Sequence, residues 1–287
     1  MKKKEAVAVP VPQEEILYSG FAIAIDENIF ENESGDLILD IVKQIENKGI
    51  PLVKYNELPT NENFIKNINS VSFVVLDWEL NPLSKGAHDE SQEGLQLGDS
   101  VKDSSFDDNI RFIEQIKENC FAPIFILTAV DTSTVIEKLL ESDKDLYNTE
   151  DESKNFILIR QKSSVTGQND LFESVTEWIK SNPSIYTLKK WDFNFYKSKN
   201  KTFLDLFRSS KSWPSIMWRA FKDDSVDESS SIDDLIYRNI KGRSEVLKLD
   251  NNLIEIAEED FTIEQSEIRK IIIDSQYVGN DSIPKND

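Results

Sequence analysis

Five short runs of mostly apolar residues constrain the fold of this chain more than any other feature of its sequence. They cover residues 21–25, 51–55, 71–76, 123–127 and 156–159. Since apolar side chains occupy nearly every position of most runs, both faces of each strand need cover, as in the central strands of a parallel sheet. Longer stretches with helical spacing lie between the runs and after the last of them, over residues 37–45, 59–68, 106–119, 131–141 and 171–179.

Strand and helix thus alternate five times along the chain. This alternation predicts an α/β fold, with a doubly wound five-stranded parallel sheet and helices on both faces. Two polar stretches without period, residues 81–105 and 142–154, are predicted as long loops.

The pattern divides the chain into three parts. Residues 1–17 form a charged, proline-containing leader, residues 18–182 the α/β domain, and residues 183–287 a C-terminal domain that is mainly helical, α-rich or α+β. Short helices are predicted over residues 203–207, 216–221, 232–240 and 264–277, with a hairpin over 246–256. No output module is recognisable in this part, which is compatible with the chain being the amino-terminal part of a longer protein.

Composition excludes several functional classes. The 287 residues include 33 Lys and Arg against 53 Asp and Glu, a formal charge of −20, which argues against a free-standing nucleic-acid binder. A single Cys and a single His exclude an intrachain disulfide and a zinc cluster of those residues. No apolar run reaches the roughly 18–20 residues of a membrane span. We therefore expect a cytoplasmic protein.

Residues 187–222 depart from this acidic composition. They hold nine Lys and Arg against two acids, together with three tryptophans, Trp191, Trp213 and Trp218. We predict that the aromatic side chains pack into a second core. Nucleic-acid binding by charge and stacking is the less favoured alternative.

Polar residues follow the predicted strands where each one ends. Asp26 and Glu27 follow the first, Asp77 the third, Thr128 the fourth and Lys162 the fifth. Ligand sites in such folds lie at the carboxyl ends of the strands, so we expect these residues to share one pocket. Three carboxylates in one pocket repel each other unless a cation lies among them, and Mg²⁺ prefers oxygen ligands of this kind. The set predicts a phosphoryl site in which Asp77 is the nucleophile.

Three of these strands carry a family pattern. Ile23-Ala24-Ile25-Asp26-Glu27 has an acidic pair after an apolar strand, Val74-Val75-Leu76-Asp77-Trp78 places one Asp at a strand end, and residues 122–129 (APIFILTA) run from Pro through an apolar strand to Thr-Ala. These segments resemble the receiver domain of two-component response regulators, a flavodoxin-like fold. The resemblance covers about residues 18–182.

The resemblance implies a role for each site residue. Asp77 would accept the phosphoryl group, Thr128 would be the switch hydroxyl, and Lys162 would bind the phosphate, with Arg160 as a competing candidate for the lysine's role. The resemblance also implies a Mg²⁺ ion held by the side chains of Asp26, Glu27 and Asp77 and by the backbone carbonyl of Glu79.

The same resemblance implies partners. Upstream, it implies a sensor histidine kinase or a phosphotransfer protein. Downstream, it implies a protein effector or the chain's own C-terminal domain, and a homodimer is compatible with it. Neither a membrane nor nucleic acid is expected as a partner.

Two alternatives stay open. Ser163 follows Lys162 where the family has proline, and Ile159 stands where the family has an aromatic residue. Both departures favour a pseudo-receiver, an interaction module that works without phosphorylation. A hydrolase with Asp77 as nucleophile and Glu79 as second acid is a poorer fit, so we do not expect an enzyme.

Overall fold

The structure is a computed structural model, and its described residues all precede Glu245, where the first unit of the chain ends. The predicted hairpin over 246–256, the predicted helix over 264–277 and nearly all of the predicted leader lie outside the described residues. The predicted domain boundary after residue 182 stays a prediction. The described residues are 17–31, 37–59, 61–68, 71–80, 99–142, 146–150, 152, 155–167, 169–224 and 228–244.

A five-stranded, all-parallel sheet forms the centre of the described chain. Its strands are β1 (Phe21–Ile25), β2 (Leu52–Tyr55), β3 (Val71–Asp77), β4 (Ile124–Thr128) and β5 (Ile157–Gln161), in the spatial order β2-β1-β3-β4-β5. Every residue of β3 and β4 is buried, because helices cover both faces of these central strands. The predicted α/β sheet is therefore confirmed.

Helices lie on both faces of this sheet. They are α1 (Leu37–Asn47), α2 (Glu62–Asn67), α3 (Asp99–Asn119), α4 (Thr132–Glu141) and α5 (Leu171–Ser181). Phe73 and Phe125 of the sheet contact Phe172 and Trp178 of α5 on one face. On the other face, residues of α2, α3 and α4 share a buried core with β1, β3, β4 and β5.

Helix α3 begins seven residues before its predicted start. The polar stretch 81–105 was predicted as one loop, whereas residues 99–105 form the first two turns of α3. Val101 is the one apolar residue in these turns, so helical spacing becomes visible only from Phe106 onward. Residues 81–98 lie outside the described residues.

Three further helices follow the sheet, α6 (Pro183–Ser209), α7 (Trp213–Asp223) and α8 (Glu228–Arg243). The predicted short helix over 203–207 is the end of α6, which runs for 27 residues. Asn182 starts α6 by accepting the Ile185 N–H at 3.1 Å, and Pro183 occupies its first turn. None of the described helices is both long enough and apolar enough to cross a membrane.

The predicted second core is not formed by the tryptophans of these helices. Trp191 is 52% exposed and Trp218 is 49% exposed, and Trp213 is only half-buried. Trp191 instead stacks on Phe195 of the same helix, with ring centres 5.1 Å apart. The prediction was wrong because composition shows that a segment is aromatic without showing which face of its helix carries the rings.

Lys189 joins α6 to the sheet. The pairing of β1 with β3 shifts register so that Ser72 is an extra residue on β3. The buried Lys189 ammonium donates a hydrogen bond to the Ser72 carbonyl oxygen and lies 5.8 Å from the ring centre of Phe121. Burial lowers the pKa of Lys189 to about 8. The start of α6 is thereby fixed to the strand that carries Asp77 at its other end.

Candidate functional site

Four of the predicted site residues lie at one edge of the sheet. Asp26 follows β1, Asp77 ends β3, Thr128 ends β4 and Lys162 follows β5. These four strands are consecutive neighbours in a parallel sheet, so their carboxyl ends meet. Strand order thus brings together residues that are up to 136 positions apart in the sequence.

Lys162 bridges the two buried aspartates. Its Nζ lies 2.8 Å from Asp26 Oδ2 and 2.7 Å from Asp77 Oδ2. Asp26 is 1% exposed and Asp77 is 4% exposed, so both carboxylates depend on this cation more than surface acids would. Arg160, the competing candidate, instead pairs with Glu152 at 2.7 Å. The cation of this cluster is therefore the Lys162 ammonium.

The second oxygen atom of each aspartate is held by the backbone of the following turn. Asp26 Oδ1 accepts the Asn28 N–H at 2.9 Å, and Asp77 Oδ1 accepts the Glu79 N–H at 3.2 Å. Each carboxylate is thus fixed from two sides, by Lys162 and by the main chain two residues further on. Such fixed carboxylates are suited to hold a cation or to attack an electrophile in one direction.

The cluster of Asp26, Asp77 and Lys162 has more potential negative charge than positive charge. Burial raises the pKa of Asp77 to about 7, with the Asp26 charge adding to the rise and Lys162 opposing it. Burial alone would lower the pKa of Lys162, but the charges of Asp77 and Asp26 outweigh it and raise that pKa. With both aspartates ionised, two negative charges face one positive charge in a buried site. A proton or a further cation would relieve this excess.

The side chains of Thr128 and Glu79 accept hydrogen bonds from main-chain N–H groups just after the end of β4. The buried Thr128 Oγ1 accepts the Val130 N–H at 3.0 Å, which leaves the hydroxyl hydrogen able to donate to an incoming oxygen atom. Glu79 Oε2 accepts the Ala129 N–H at 2.8 Å. The resemblance noted above implies a role for the Glu79 backbone carbonyl only, and no sequence pattern indicates this side-chain contact.

Trp78 and Asn109 hold the turn after Asp77 in place. Asn109 was not predicted as a site residue. Trp78 is fully buried and stacks on Phe106 of α3 with ring centres 5.4 Å apart. Asn109, also buried, donates its side-chain N–H to the Trp78 carbonyl oxygen at 2.8 Å. These contacts fix the turn that directly follows Asp77 against α3.

The chain after Lys162 is held by hydrogen bonds, with Ser163 directly after the lysine. Residues Lys162–Ser164 form one turn of 3₁₀ helix, and Thr166 Oγ1 donates to the Lys162 carbonyl oxygen at 2.9 Å. Gln44 of α1 donates to the Val165 carbonyl oxygen at 3.0 Å and accepts the Leu171 N–H at 2.8 Å. The loop that carries Lys162 is thus tied to α1.

We expect Gln44→Ala to lower the free energy of unfolding by about 1–3 kcal/mol, because it removes the side-chain partners of the Val165 carbonyl and the Leu171 N–H. Urea denaturation monitored by tryptophan fluorescence measures the change. Gln115→Ala, on an exposed position of α3, is the matched control and should change stability by less than about 0.5 kcal/mol. Equal losses in both variants would contradict a special role for Gln44.

A Mg²⁺ ion at this edge of the sheet would need oxygen ligands from the residues gathered there. Among the residues that the structure describes, no group of three or more Asp, Glu, His or Cys side chains is arranged to hold a metal ion. Glu27 lies half-buried on the turn after β1, and its role as a ligand stays a prediction. Asp26 and Asp77 do match the one or two carboxylates that Mg²⁺ commonly uses alongside water.

Comparisons with known proteins leave the family open. No protein-family model and no curated protein matches the chain. Among solved structures, the chain is similar to one described as amino acids 181–211 of the yeast Spc42 trimeric coiled coil fused to another structure. The identity is 13% and the TM-score 0.30, over 66% of this chain and 89% of that chain. A likeness at this level carries no argument about function.

Proposed function

We propose that the chain is a divergent response-regulator receiver that accepts a phosphoryl group on Asp77. The observation that carries the proposal is the contact of Lys162 with both Asp26 and Asp77, at 2.8 and 2.7 Å. The strand order supports it, because the order 2-1-3-4-5 is that of flavodoxin-like folds, which bind ligands at the carboxyl ends of the strands.

The residues of the site match the steps of such a transfer. An Asp77 carboxylate oxygen attacks the phosphorus atom of the donor and a new O–P bond forms. The bond from phosphorus to the donor's leaving atom breaks, and its electron pair stays on that atom, an imidazole nitrogen in a phosphohistidine donor or an oxygen in acetyl phosphate. Lys162 balances charge on the phosphoryl oxygens, and the Thr128 hydroxyl donates to one of them. Asp26 and Asp77 would hold the Mg²⁺ ion, which supplies further positive charge to those oxygens.

This function implies the partners of a signalling switch. The phosphoryl donor would be a sensor histidine kinase or a phosphotransfer protein, and the output would pass to a protein effector or to the chain's own mainly helical C-terminal part. Such a switch requires different contacts in its two states. Thr128 is suited to make this difference, because its buried hydroxyl at the end of β4 accepts the Val130 N–H and keeps a hydrogen atom to donate.

Intact-mass analysis after incubation with Mg²⁺ and acetyl phosphate tests the proposal. We expect a gain of one phosphoryl group in the unmodified protein and no gain in Asp77→Asn, which lacks the nucleophilic oxygen. Asp107→Asn, which makes the same charge change at an exposed position of α3, should gain the group normally. An adduct that persists in Asp77→Asn would contradict the proposal.

A pseudo-receiver that binds partners without phosphorylation is the second candidate. It is favoured by the ion pairs of Lys162, which already balance much of the charge of Asp26 and Asp77 without a metal. In this case the protein would gain no phosphoryl group, and Mg²⁺ would not raise its melting temperature.

A further inference from the structure

Glu79 connects the ends of two neighbouring strands at the candidate site. Its backbone N–H donates to Asp77 Oδ1 at 3.2 Å, and its side chain reaches the end of β4, where Oε2 accepts the Ala129 N–H at 2.8 Å. One residue thus contacts the proposed phospho-acceptor with its main chain and places a third carboxylate across the edge that carries Asp77.

The Ala129 N–H is a donor suited to an anionic oxygen. Asp77 pairs with Leu127 in the sheet, and the Trp78 N–H donates to the Leu127 carbonyl oxygen at 3.2 Å, so β3 and β4 stay paired up to the site. Ala129 follows two residues later, directly after Thr128. Main-chain N–H groups beside a reacting centre stabilise negative charge on incoming oxygens. Glu79 supplies such an oxygen from within the chain.

We propose that Glu79 is an internal anion that occupies the Ala129 N–H and competes with the phosphoryl group for it. This inference rests on the proposed function of Asp77. A phosphoryl oxygen and the Glu79 carboxylate are both anionic acceptors, and they cannot share this donor without bringing two negative charges together. The Glu79 side chain is only half-buried, so it is able to swing into solvent when the site is phosphorylated.

Glu79 is a positioning residue in this scheme, because it neither attacks phosphorus nor carries a proton. Glu79 does not change which bonds form and break when the phosphoryl group is transferred to Asp77. Glu79 sets how readily the transfer occurs, since each event first requires its carboxylate to leave Ala129. The Glu79 side chain would therefore slow the phosphorylation of Asp77.

The test compares initial rates of adduct formation with acetyl phosphate and Mg²⁺, followed by intact mass. We expect Glu79→Ala to react roughly three- to tenfold faster than the unmodified protein, because exposed charge-assisted contacts contribute little net energy. Glu79→Gln keeps an acceptor oxygen and loses the charge, so its rate should lie between the two. Glu118→Ala removes an exposed carboxylate at the far end of α3 and should leave the rate unchanged.

A second measurement follows the contact itself. Hydrogen exchange of the Ala129 amide, monitored by NMR without phosphodonor, should speed up in Glu79→Ala and stay close to its original rate in Glu79→Gln, where the hydrogen bond can re-form. Unchanged exchange in Glu79→Ala would overturn the inference.

The two proposals fail in different ways. If the unmodified protein and Glu79→Ala form the adduct at equal rates, Glu79 does not compete and the inference fails, while the function of Asp77 stands. If neither protein forms an adduct, the proposed function fails. The inference then fails as well, because it rests on that function, and the amide exchange does not alter this result.

Discussion

Replacing Lys162 with Met is expected to lower the free energy of unfolding by about 3–5 kcal/mol at pH 8, because it leaves an uncompensated pair of buried charges. Asp26 and Asp77 lose the ammonium that lies 2.8 and 2.7 Å from their Oδ2 atoms. The methionine fills most of the lysine's volume, so packing changes little. Urea denaturation of both proteins at pH 8 measures the difference.

The pH dependence of this loss identifies its origin. Burial raises the pKa of Asp77 to about 7, so as pH falls toward about 4 this carboxyl takes up a proton, the repulsion is removed, and the deficit of Lys162→Met should shrink. The pKa of Lys162 is raised above its usual 10.5, so the ammonium stays charged over this range, and the stability linked to its own proton is lost only above pH 10.5. A deficit that stays constant between pH 4 and pH 8 would indicate a packing defect instead.

Two further variants separate the buried cluster from ordinary surface charge. Lys54→Met removes an ion pair with Glu46 whose side chains are 29% and 52% exposed, and should change stability by less than about 1 kcal/mol. Adding Asp77→Asn to Lys162→Met should recover part of the loss, because one buried negative charge is removed along with its repulsion. A stability change in the double variant that equals the sum of the two single changes would contradict the coupling of Asp77 and Lys162.

Sequence predicts the sheet and its polar edge well, for one physical reason. Strands buried on both faces must be apolar throughout, so the chain marks them clearly, and their polar ends stand out. In a parallel sheet all carboxyl ends point the same way, so strand order alone predicts that Asp77, Thr128 and Lys162 lie together. The choice of Lys162 over Arg160 needed the structure, because both lie near the end of β5.

Other features depend on side-chain direction and leave little trace in composition. The polar first turns of α3 carry no apolar period, and the rings of Trp191 and Trp218 face outward although their segment is rich in aromatic residues. The contact of Glu79 with Ala129 joins two loops through one rotatable side chain. Such contacts are set by the local path of the main chain, which residue identity alone does not fix.

Replacing Asp77 with Asn should raise the stability of the metal-free protein at pH 8. Burial raises the pKa of Asp77 from 3.8 to about 7, so the folded protein holds this proton more tightly than the unfolded chain does. The stability linked to the proton is fully present below about pH 4 and is lost as pH rises to about 7. Asparagine keeps the shape and never ionises, so the variant avoids this loss, which is on the order of 2–4 kcal/mol.

Thermal unfolding between pH 4 and pH 8, with chelator present, checks this expectation. The melting temperature of Asp77→Asn should exceed that of the unmodified protein at pH 8 and should approach it near pH 4, while Asp107→Asn on the exposed side of α3 should follow the unmodified protein throughout. Mg²⁺ should stabilise the unmodified protein at pH 8 and lose most of that effect in Asp77→Asn, since both relieve the same excess of negative charge. A variant less stable than the unmodified protein at pH 8 would mean that Asp77 is ionised at no cost beside Lys162, and that the site has no need of a further cation.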